Sequence, residues 1–73
     1  MKKFKLYFLR NSDDSNPKYY FHEQEPNIGQ VIQVDNGYYH VVVKKHNLKK
    51  IVRLDLAEAG QSETEANLLA KQP

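Results

Sequence analysis

Cysteine and tryptophan are absent from this 73-residue chain, and glycine and proline supply only three residues each. Without cysteine there is no disulfide staple, no thiolate metal site, no iron–sulfur ligation and no cysteine nucleophile. The same lack suits a reducing compartment, so a cytoplasmic protein is expected. No apolar run approaches the roughly 20 residues of a membrane helix or the apolar core of a secretory leader, and no membrane partner is expected. Gly29, Gly37 and Gly60 stand too far apart to form a phosphate-cradling loop. Internal repeats and low-complexity tracts are also missing. A chain of 8.6 kDa buries only about 60% of its unfolded surface, so it builds one thin core.

What is present is β-type patterning. Lys3 to Leu9 alternates, with Phe4, Leu6 and Phe8 on one face and Lys3, Lys5 and Tyr7 on the other. Residues Asn11 to Pro17 are all turn formers and predict a surface loop. Lys18 to Glu23 predicts a second strand, with Tyr19 and Phe21 opposite Tyr20 and His22. Glu25-Pro26-Asn27 interrupts pairing, because proline has no amide proton to donate. Gly29 to Asp35 and Tyr38 to Lys45 flank Asn36-Gly37, the strongest short-range hairpin signal. A two-residue turn there sets Val34 opposite Tyr39 and Ile32 opposite Val41, giving one apolar face of Ile32, Val34, Tyr39, Val41 and Val43. It sends Val31, Val42, Tyr38 and His40 to the other face.

Lys49 to Ala57 predicts a fifth strand, with Val52, Leu54 and Leu56 inward and Ile51, Arg53 and Asp55 outward. Beyond it the chain becomes acidic and rich in alanine. Ser62 followed by Glu65 has capping-box spacing, predicting a short helix from about Glu63 to Lys71 that either docks or frays, because so short a helix is marginal alone. The expected architecture is mostly β: a small five-stranded antiparallel SH3-like barrel or bent sheet over residues 1–57, with an acidic helix or tail over 58–73.

Catalytic groups are sparse. Ser12, Ser15, Ser62 and Thr64 lie in turns or at a helix start, and none sits in a nucleophile elbow. Asp13 with Asp14, and Glu23 with Glu25, lack the contrasting surroundings that would separate their proton affinities. His22, His40 and His46 match no metal-ligand spacing. A non-enzymatic protein without cofactor or metal is expected.

Charge points to binding. The net charge is +2, but residues 1–53 carry ten basic against five acidic groups (+5), and residues 54–73 carry one against four (−3). Half of the ten residues from Lys44 to Arg53 are permanently basic: Lys44, Lys45, Lys49, Lys50 and Arg53. With Tyr20 and Tyr38 as stacking surfaces, these form a candidate nucleic-acid contact. The first expectation is nevertheless a protein or self-association interface, a homodimer included, through an outward patch of Val31, Val42, Tyr38 and Ile51. Nucleic acid is the alternative.

Overall fold

A computed structural model describes residues 1–9 and 16–71. The loop expected at Asn11–Pro17 falls mostly outside that set, as do Ser12, Asp13, Asp14 and Ser15. Five strands and one helix follow in order: β1 (Lys2–Phe8), β2 (Tyr19–His22), β3 (Val31–Gln33), β4 (Tyr39–Asn47), β5 (Val52–Leu56) and α1 (Glu63–Ala70). They form a single bent sheet in the order β2-β1-β5-β4-β3. The sheet curls into a half-barrel around its own apolar face. That face gathers Phe4, Leu6, Ile32, Val34, Val42, Leu54 and Leu56, with Phe8, Tyr20 and Val52 at the margin.

Three of the four pairings are antiparallel. The fourth, β1 with β5, is parallel, with Phe4 beside Val52 and Phe8 beside Leu56. The sheet is therefore mixed, where the sequence pattern predicted antiparallel strands throughout. The inward sets of both strands are as the alternation predicts: Phe4, Leu6, Leu54 and Leu56 are all buried.

The β3–β4 hairpin corrects the expected register. Val34 pairs not with Tyr39 but with Tyr38, whose carbonyl accepts the Val34 amide at 3.0 Å. Gln33 then faces Tyr39, Ile32 faces His40 and Val31 faces Val41. The loop holds three residues, Asp35-Asn36-Gly37. The Gly37 amide bonds the Val34 carbonyl at 2.8 Å, and Gly37 sits at φ +89°. This is a β-turn closed by a left-handed glycine bulge, the usual three-residue hairpin.

One residue of slip moves every β4 side chain to the opposite face. Val42 becomes fully buried and His40 drops to 2% exposure, although both were expected outside. The His40 ring meets Phe8 edge-on at 5.1 Å. Val41 is also buried, outside the main cluster, because alternation turns it to the back of the sheet.

A bulge between Val42 and Lys44 shifts the β4–β5 register once more, setting Lys44 against Asp55 and Lys45 against Leu54. After β5 the chain runs on beside β4, and Gly60 and Tyr39 exchange both backbone hydrogen bonds, at 2.8 and 2.9 Å. The helix then docks. Ser62 Oγ accepts the Glu65 amide at 3.1 Å, and Glu65 Oε1 accepts the Gln61 amide at 3.3 Å. Ala66 is fully buried, and α1 packs on β4 and β3 and on no other strand.

Candidate functional site

The β4–β5 turn presents its charges at the tip. Leu48 donates its amide to the Ile51 carbonyl at 2.9 Å, leaving Lys49 and Lys50 exposed between the paired residues Asn47 and Val52. Parallel pairing then adds a second source of charge. Because β1 and β5 run in the same direction, their N-terminal ends coincide, and Lys2 and Lys3 arrive beside Lys49 and Lys50. The four lysines border an open groove of about 520 Å³ whose floor includes Phe4, Leu48, Ile51 and Val52. Glu25 is the single carboxylate in its lining, and Lys45 Nζ already holds it at 2.6 Å. The Lys3 ammonium lies over the Tyr19 ring, 4.1 Å from its centre. The like charges of Lys2, Lys49 and Lys50 around the concavity repel one another, and an anion seated between them relieves that repulsion.

The remaining expected binding residues divide by location. Lys44 is exposed on the back of the sheet. Lys45 is half-buried in its ion pair with Glu25. Arg53 donates from Nε to Asp55 Oδ1 at 2.9 Å, and its guanidinium lies over the Tyr7 ring at 4.9 Å. Tyr20 belongs to the core margin, 6.3 Å from Phe4 and stacked under His22 at 5.7 Å, and burial pushes its hydroxyl pKa up. Tyr38 is exposed, but it precedes β4 while Lys49 follows it; a nine-residue strand separates them by about 30 Å. The structure therefore gathers Lys49 and Lys50 with Lys2 and Lys3, and leaves both tyrosines out.

The three histidines stand in unlike places. His22 is exposed beside Tyr20, His40 is in the core, and His46 Nε2 lies 3.0 Å from Asp55 Oδ2 on the back. Among the described residues no group of three His, Cys, Asp or Glu side chains could hold a common metal ion. Ser62 spends its oxygen on the helix cap. The apolar patch expected from Val31, Val42, Tyr38 and Ile51 loses Val42 to the core and is split.

Among the described residues no helix or further strand packs on the back of β2, β1 and β5. Its register sets Phe21 beside Lys3 and Tyr19 beside Lys5, Lys5 beside Arg53 and Tyr7 beside Asp55, and Arg53 beside His46. Tyr7, Tyr19 and Phe21 are 49%, 39% and 53% exposed. Alternation alone marks these three as outward; Lys2 and Lys3 join the site only through a parallel pairing that no local pattern reveals. The chain matches no protein-family model, no curated protein and no solved structure.

Proposed function

We propose that the protein is a non-enzymatic binding module whose basic end holds the phosphate backbone of a nucleic acid. The observation that carries this is the convergence of Lys2, Lys49 and Lys50, with Lys3 beside them, around one open groove in which Glu25, the one carboxylate among the described lining residues, is already paired. Each phosphate taken by a lysine releases condensed counterions, which is the main source of affinity in sequence-independent binding. The cysteine-free composition suits a cytoplasmic setting for this role.

The test is a fluorescence titration with mixed-sequence oligonucleotides at several salt concentrations. Three to four contacts give log affinity against log salt a slope of about −2 to −3 for single strands. Replacing Lys49 and Lys50 by alanine, or Lys2 and Lys3, flattens that slope and weakens every sequence alike, because phosphate contacts position without specifying. Affinity weaker than about 10⁻⁴ M at low salt, the feeble end of non-specific binding, refutes the proposal.

A protein interface is the second reading, and one feature favours it. Ile28 and Tyr38, 63% and 43% exposed, flank the open edge of β3, where a second chain could add a strand. Sedimentation across a concentration series tests it: dimerisation abolished by Tyr38→Lys supports this edge as the contact, and a monomer at all concentrations removes self-association.

A further inference from the structure

We propose that the back of β2, β1 and β5 is a stacking platform for unpaired bases, so that the nucleic acid held at the basic end is single-stranded. This rests on the nucleic-acid reading above and adds a separate set of residues to it. Tyr19 and Phe21 stand two residues apart on β2 and share a face, about 7 Å from each other. Tyr7 lies on the neighbouring strand, two residues past Lys5, the partner of Tyr19. That diagonal is also about 7–8 Å. Phe21, Tyr19 and Tyr7 thus form a line of three exposed rings in equal steps, one ring to a base.

Cations interleave the line. Lys3 Nζ stands 4.1 Å from the Tyr19 ring centre, and the Arg53 guanidinium covers part of Tyr7 at 4.9 Å. Lys5 and Lys44 share the face and are exposed. Asp55 is the one carboxylate that the strand register places there. It is 3% exposed and already holds Arg53 and His46, and Glu23 stands only past the end of β2. The helix that covers the back of the sheet elsewhere touches only β4 and β3.

Charge selects the occupant. A two-fold dimer through this face would bring Lys3, Lys5 and Lys44 of both copies into one interface, and that concentration of like charge disfavours it. A polyanion with flat, uncharged bases satisfies both the cations and the rings. Base–aromatic stacking needs an unpaired base, whereas a duplex offers only phosphates to a convex sheet.

The test titrates the full chain with a mixed-sequence single strand, an abasic strand of equal length, the duplex and polyglutamate. The single strand should bind more tightly than the abasic strand by about 5- to 150-fold per engaged base. Phe21→Ala should remove that margin in part, leaving abasic affinity and the salt slope unchanged. Tyr19→Ala and Tyr7→Ala, whose rings also carry Lys3 and Arg53, should each lower the ratio of single-strand to abasic affinity. Phe21→Tyr and Tyr7→Phe should retain it, and a preserved thermal transition shows that the variants fold. Equal affinity for the single and abasic strands overturns the platform while the basic-end reading stands. Polyglutamate binding as tightly as the single strand also overturns it, as does a stable dimer that buries this face. No affinity for any oligonucleotide removes both proposals.

Discussion

His40 shows what a single slipped residue does to a side chain. It lies at 2% exposure, and its Nδ1 is 2.7 Å from the Ala57 carbonyl. A carbonyl only accepts, so Nδ1 carries the proton and Nε2 is a bare lone pair, buried without a partner. Protonating Nε2 would place a charge where nothing can receive it. Burial accordingly lowers the His40 pKa from its ordinary 6.5, against a smaller upward push from the Ala57 hydrogen bond. The unfolded chain then takes up the proton first as pH falls, so stability is complete above about pH 6.5. Below that it declines, by at most about 1.4 kcal/mol per pH unit for one proton, until the folded ring also titrates. Denaturant melts of the protein and of His40→Leu from pH 8 to 4.5 should differ in this window, the variant lacking the decline. Parallel curves would mean that the ring is hydrated.

At the scale of elements, the two ends of the chain's regular structure differ in how far local pattern determines them. The α1 start was legible, since Ser62 Oγ accepts the Glu65 amide as the spacing predicts, although the Glu65 carboxylate reaches back to the Gln61 amide and not to that of Ser62. What α1 packs against was not legible, because it depends on Gly60. A Cβ at Gly60 would stand 2.5 Å from the Ala66 amide nitrogen and 2.8 Å from its Cα. Both are backbone atoms, which yield only if the helix moves. Gly60→Ala should therefore lower stability by about 1–3 kcal/mol, as overpacking does, and Ser62→Ala by about 1 kcal/mol through loss of the cap. Thermal melts of the two variants check the order. Removing residues 62–73 should leave a cooperative but weaker sheet, because no α1 residue belongs to the main cluster while the packing of α1 on β4 and β3 is lost. Loss of the cooperative transition in the truncated chain would make α1 part of the core. The hairpin was legible as a hairpin and misread in register. Asn-Gly suits a two-residue turn, but the same glycine also closes a three-residue turn with a bulge, and one position of φ +89° does not discriminate between them.

At the scale of the molecule, inward alternation on β1 and β5 was readable while their mutual direction was not, since parallel and antiparallel partners carry the same period of two. That direction is what joins Lys2 and Lys3 to Lys49 and Lys50, so half of the basic site was invisible to local reading. It also leaves β2 and β3 at opposite edges, where a closed barrel would pair them. Amide exchange separates the two arrangements. In the open sheet β5 is bonded on both sides and holds Leu54 and Leu56 at 0% exposure, so its amides should exchange slowest, with those of β4 and β1 next. Amides of β2 and β3 that point to the free edges should exchange faster by orders of magnitude, because opening free energies run from near zero at frayed edges up to the global value. Strong protection along both faces of β2 and β3 would reveal a ladder between them. The sheet would then be closed, and the back-face line of Phe21, Tyr19 and Tyr7 would have to bend with it.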